Sequence, residues 1–154
     1  MTARKTIAAA LLTKLTAGGA FTASGRRDSK PEQAASIGAP GLFLLKPREV
    51  YTYESGANGV PPVRDLHFLA LIYTDVGTTD PTQVPADVID DLLDAIDTAL
   101  APSPSDQVMN GARQTLGGIV YDCRIEGDVD IAPGDVQGKG MVLVPIRVVL
   151  NQYP

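Results

Sequence analysis

GIVYDCRIEGDVDIAPGDVQGKGMVLVPIRVVL, residues 118–150, is the stretch on which the fold turns. In its first half Ile119, Tyr121, Cys123 and Ile125 fall on one side of an extended backbone, and Val120, Asp122, Arg124 and Glu126 on the other. A period of two predicts a strand with one buried and one mostly polar face. Gly127 interrupts that strand at a bulge or bend, and beyond it Val129 and Ile131 alternate with Asp128 and Asp130. A connection across residues 133–140 leads into MVLVPIRVVL. There Val142, Val144, Ile146, Val148 and Leu150 share one face, and Met141, Leu143, Pro145, Arg147 and Val149 the other. Such a strand has no obvious water-facing side. Pro145 cannot donate a ladder hydrogen bond, which places the strand near an edge, covered by its own helices or by another subunit.

The remaining elements build outward from this ribbon. DLHFLALIYTDV, residues 65–76, is a continuous apolar run of strand length, the pattern of a strand covered on both faces in the middle of a sheet. GLFLLKPREVYTY, residues 41–53, starts as a strand and bends or shifts to an edge position at Pro47. VPADVIDDLLDAIDTALAP, residues 84–102, is the clearest helix. Val88, Ile89, Leu92, Leu93, Ile96 and Leu100 form one stripe, with Asp90, Asp94 and Asp97 opposite. Pro85 suits its first turn, Asp87 complements its dipole, and Pro102 and Pro104 end it. A polar connection follows. Residues 2–16 predict a first helix with Ile7, Ala8, Leu11, Leu12 and Leu15 buried and Gly18-Gly19 as its stop. Residues 24–40 and 54–63, rich in small, charged and turn-forming residues, predict long exposed loops.

At 154 residues, 44% hydrophobic and 20% charged, the chain fits one domain with a genuine core, too apolar for general disorder and too interrupted for a membrane span. The basic and Ala/Leu-rich N-terminus resembles a signal peptide, but Lys14 breaks its apolar run and the helical spacing of Ile7, Leu11 and Leu15 favours an amphipathic helix. The expectation is a soluble cytoplasmic protein without membrane contact. One cysteine, Cys123, leaves no internal disulfide. The net charge of −5 is uneven: residues 1–50 hold eight basic against three acidic residues (+5), and residues 51–154 five against fifteen (−10). That split suits contact with copies of itself or with a partner through opposite patches, and it does not suit coating nucleic acid with the whole domain.

Candidate chemistry is sparse. His67, the only histidine, lies in the most apolar strand, where a structural, hydrogen-bonded role is the simpler reading. Cys123 lies on the apolar side of its strand and packs as a small hydrophobe. Asp87, Asp90, Asp91, Asp94 and Asp97 trace the solvated side of a helix more simply than a metal site. GDVQGKG lacks Walker spacing and joins two strands, so it reads as a hairpin turn. Glu126, Asp128 and Asp130 lack a calcium-loop pattern and read as a polar strand face. No cofactor or metal is expected. Arg26, Arg27 and Lys30 stay open between a solvated loop and an electrostatic contact with DNA phosphates or an acidic neighbouring subunit.

In order of elements, and in VYDCRIEGDVDIAPGD with GMVLVPIRVVL, the chain resembles phage tail terminator (tail completion) proteins. These close with a strand, a polar glycine-containing break, a Gly turn and a "VPI"-like last strand; the VIDDLLDAID helix and the LHFLALIYT strand fit the same layout. The resemblance covers most of the chain in architecture and the last third in local sequence. It implies a single α+β domain, a mostly antiparallel or mixed β-sheet with two helices packed against it and long exposed loops. It also implies a six-membered ring of identical subunits that caps the tail tube, stops its polymerisation and presents the head-side joining surface, without catalysis. The implied partners are the tail tube protein, the head–tail connector, and DNA passing through the lumen without sequence specificity. The implied location is the virion tail, after assembly in the host bacterial cytoplasm. Interface or DNA-facing candidates are Arg26, Arg27, Lys30, Tyr51, Tyr53 and Arg147, together with the edge of the final strand. The rivals are another head–tail connector or minor tail protein, a cytoplasmic binding module that regulates a partner and, from another class, a small cytoplasmic enzyme using Cys123 and His67.

Overall fold

The computed structural model describes residues 3–26, 40–53, 63–75, 85–109, 111–136 and 139–151. Helix α1 (Arg4–Thr16) is followed by strands β1 (Ala23–Gly25), β2 (Gly41–Thr52) and β3 (Val63–Asp75). Helices α2 (Pro85–Leu100) and α3 (Pro104–Met109) come next, and β4 (Asp122–Ile125), β5 (Asp130–Val136) and β6 (Lys139–Asn151) close the chain. The six strands form one mixed sheet in the order β1-β2-β3-β6-β4, with β5 also paired to β6. All pairings are antiparallel except β1 with β2.

Strand periodicity sorts the core. On β3, Leu66, Phe68, Ala70 and Ile72 point to the helix side, and on β6, Val142, Val144, Ile146, Val148 and Leu150 join them. The helices present Ile7, Ala8, Leu11 and Leu15 from α1, and Ile89, Leu92, Ile96 and Leu100 from α2. Burying each of the larger side chains contributes about 1.5–3 kcal/mol, and this is what fixes both helices to the sheet. The predicted stripes and the α+β class are therefore the observed ones. On the opposite sheet face Phe43, Leu71 and Tyr73 make a second, smaller cluster against Met141 and Leu143, with the Phe43 and Tyr73 rings edge to face at 6.3 Å. The run in β3 is thus covered on both faces, and β3 sits between β2 and β6 as its composition predicts.

Four expectations are corrected. First, β6 lies next to an edge but is not one itself: β3 pairs with it from end to end, and β4 and β5 together pair with most of its other side. Pro145 is accommodated because the proline carbonyl accepts from Glu126 N–H at 3.1 Å, which puts the missing N–H on the same side, at the break between β4 and β5. Gly127, at that break, has φ of +124°, and a Cβ there would lie 3.2 Å from Pro145 Cγ. Proline and glycine form one matched interruption.

Second, the strand predicted over residues 118–126 starts only at Asp122. Residues 116–119 form a turn in which Leu116, Gly117 and Gly118 all have positive φ, and the carbonyl of Thr115 accepts from three successive amides, those of Gly118, Ile119 and Val120. The side-chain parity shifts there, so Val120 is buried and Tyr121 exposed. Third, part of the polar connection after α2 is helix α3. Ser103 Oγ accepts from the Asp106 amide at 3.2 Å and donates to Asp106 Oδ2 at 2.7 Å, while Pro104 occupies the first helical position. Fourth, Ser24 and Gly25 belong to β1 and Val63 to β3, where the sequence predicts loops. A three-residue strand made by backbone pairing to Gly41, Leu42 and Phe43 needs no apolar alternation to form. The rest of the predicted loops, residues 27–39 and 54–62, lies outside the described residues.

Candidate interaction surfaces

The register of β3 and β4 against β6 decides the question of Cys123 and His67. Cys123 pairs with Val148, which pairs with Leu66, and this row points into the helix-side core. His67 pairs with Arg147, which pairs with Arg124, and this adjacent row points to the opposite face. The thiol and the imidazole are on different sides of the sheet and cannot act as a nucleophile and its base. Burial holds the Cys123 thiol up at about 12, so the thiolate is absent at neutral pH. The enzyme built on this pair is overturned. Among the described residues no group of three or more His, Cys, Asp or Glu is arranged to hold a metal ion, and no helix is long and apolar enough to cross a membrane.

On the face away from the helices, the row through His67 extends across four strands as Arg48, His67, Arg147 and Arg124. Three carboxylates frame it. Arg147 donates Nε–H to Asp65 Oδ2 at 3.0 Å, adds a second bond from Nη2, and reaches Glu126 Oε1 from Nη1 at 2.7 Å. Arg124 meets Glu126 Oε2 at 2.7 Å and Asp122 Oδ2 at 2.5 Å. Contacts with Arg124 first and Arg147 second lower the Glu126 carboxyl below its ordinary range. Burial, then the nearby Arg48 charge, lowers the His67 imidazole, so it is neutral at pH 7. The candidate Arg147 is therefore half-buried and committed to ion pairs, and it lies at the middle of the sheet. The predicted interface along the edge of the last strand is also corrected, because pairing on both sides leaves β6 little free edge.

Among the described residues a free edge lies elsewhere. There β1 pairs only with Gly41, Leu42 and Phe43 of β2. Among the described residues no strand covers the outer side of β2 beyond them. At Lys46-Pro47 the register of β2 slips against β3, in agreement with the predicted bend, and this changes which side chains face the helices. After the slip Glu49 and Tyr51 face α1. Arg4 Nε donates to Glu49 Oε1 and Nη2 to the Tyr51 hydroxyl, both at 2.6 Å. The Tyr51 hydroxyl itself donates to Glu49 Oε2 at 2.9 Å, and Lys46 completes the cluster. Arg4 above all holds the Glu49 carboxyl down at about 2. Even so, Tyr51 is 42% exposed, Tyr53 57% and Val50 37%, so this end of β2 presents a polar-rimmed aromatic patch.

Arg26 is exposed one residue past β1, on the flank of the same edge; Arg27 and Lys30 lie outside the described residues. Reading the sequence singled out Tyr51, Tyr53, Arg147 and His67 but missed Arg48 and Arg124, their cross-strand companions. Only register brings these four strands into line, and residue spacing within one strand carries no register. Across the whole chain no family model matches, and no curated protein matches it.

Proposed function

We propose that this chain is a structural virion protein that caps a phage tail tube as a ring of identical subunits, ends tail polymerisation and offers the surface to which the head-side connector docks. The resemblance of its closing strands to tail terminators motivates the reading. The observation that carries it furthest is the outer side of β2, a strand edge that no described strand covers beyond Phe43, with Tyr51 and Tyr53 exposed beside it. Large aromatic side chains on an open strand edge supply contact area at low entropic cost and backbone groups ready to pair. A subunit that meets its neighbour through two different surfaces closes into a ring when the rotation per step divides a full turn. Modest contacts repeated around such a ring add up through multivalency.

In this reading a terminator matches the tail tube on one ring face and not on the other, so growth stops for geometric reasons. DNA passes the lumen without being read, and Arg26, Arg27 and Lys30 supply charge toward phosphates or an acidic neighbour. The protein works in the virion tail, without catalysis or cofactor.

Native mass spectrometry tests this directly. The wild-type protein is expected as a closed complex of several copies, and Tyr53→Asp, placed on the exposed edge, as a folded species of lower mass. A strictly monomeric wild type at high concentration would count against the ring.

A further inference from the structure

Arg64 is 3% exposed and sits on the helix side of β3, between Tyr51 of β2 and Leu150 of β6 in the cross-strand row. Its guanidinium makes no ion pair or hydrogen bond among the described residues, and its Nε is sealed from solvent without an acceptor. The adjacent acid, Asp65, points to the other face and is held by Arg147. The carboxylate diagonal to it on its own face, Glu49, already receives Arg4, Lys46 and Tyr51. A buried lysine or histidine escapes this situation by losing its proton, but arginine does not. A buried charge without a partner is strongly unfavourable, so the counter-charge has to come from outside the described fold.

Tyr121, just before β4, donates its amide to the carbonyl of Val149, the neighbour of Leu150 on β6. Arg113 lies over the Tyr121 ring at 3.9 Å and donates to its hydroxyl, and its Nε too is buried without an acceptor. Among the described residues, two of the three buried polar side-chain atoms without a partner are thus arginine Nε groups.

We propose that Arg64 anchors a binding site for an external oxyanion, a carboxylate or phosphate group that enters at this end of the sheet beside Tyr51. A planar guanidinium receives such a group through two parallel hydrogen bonds. The oxyanion comes either free from solution or as a carboxylate of a second copy. One source of the latter is the exposed stripe of Asp90, Asp94 and Asp97 on α2, none of which is ion-paired among the described residues. The site stands whether or not the chain forms rings.

The test uses the full chain and inorganic phosphate, with sodium chloride at matched ionic strength as reference. Phosphate stabilises proteins non-specifically, so the difference between wild type and Arg64→Met decides. Wild type is expected to gain several degrees of thermal midpoint more than the variant on passing from chloride to phosphate. The variant, freed of an unpaired buried charge, is expected to melt in chloride no lower than wild type. On wild type alone, the Arg64 Nε–H resonance is expected to shift and to exchange more slowly as phosphate is added, which keeps the test open if the variant does not fold. Solution mass assigns the source: a mass that falls as phosphate rises identifies a competing carboxylate from a second copy, and a constant mass identifies a free oxyanion. Equal gains in the two proteins, or an Arg64 resonance indifferent to phosphate, would overturn the site.

Discussion

His67 shows how a residue's surroundings set its behaviour. Its imidazole lies among Arg48, Arg147, Asp65 and Glu126, and burial followed by the Arg48 charge outweighs the acids. The folded protein therefore takes up this proton at lower pH than the unfolded chain, whose value is the ordinary 6.5. Stability supplied by the neutral ring is complete above that value and is lost as pH falls through the lowered one. Urea midpoints measured from pH 7 down to about 5.5 are expected to decline in wild type and to stay flatter in His67→Asn. Glu49 acts in a lower window with the same sign. Its carboxyl, ordinarily at 4.5, is held near 2, so its contribution is present above 4.5 and disappears as the pH approaches 2. Glu49→Gln is expected to remove that acid step and to leave the His67 step in place.

At the scale of elements, the break shared by β4, β5 and β6 is the most specific local device in the fold. Pro145 lacks a donor where β4 gives way to β5, and Gly127 has both the left-handed φ and the missing Cβ that let the proline ring sit against it. An alanine at 127 meets the ring and the strained dihedral together, a cost of about 1–3 kcal/mol. Gly127→Ala is expected to lower the urea midpoint accordingly, and a midpoint equal to wild type would show that the two residues are not matched. The sequence marks both Pro145 and Gly127 as interruptions, one in each half of the quoted stretch. It could not show that one interruption answers the other, because which residues oppose each other depends on register. Read alone, the proline pointed to an edge.

On the scale of the whole molecule, one layer of helices covers one face of the sheet, and α1 is the keystone of that layer. Leu11 is fully buried where α1 meets the core shared with α2. Leu11→Ala is expected to cost about 2–5 kcal/mol, read as a fall in the denaturant midpoint with an unchanged slope. A much smaller loss would mean that α1 docks loosely and that the core belongs to the sheet and α2. The opposite face divides its roles along the strands, with the Phe43, Leu71 and Tyr73 cluster toward one end and the arginine row with its acids toward the other. Both oddities of charge, the ion-paired row and Arg64 without a partner among the described residues, arise from alternation along β3, which sends Asp65 and His67 one way and Arg64 and Leu66 the other.

Periodicity by itself determined the two long helices, their buried stripes, the bilateral burial of β3 and the two faces of β6, because the burial of a side chain follows directly from its position on a helix or strand. The α+β class, at the level of sequence an implication of the resemblance alone, is what the sheet and its helices show. Only the tertiary structure decided that β6 is paired on both sides, that Cys123 and His67 lie on opposite faces, that four strands align a charged row, and that Arg64 is buried without a counter-charge among the described residues. Each of these depends on strand order and register, which are set by the joint packing of all the elements and are written in no single segment.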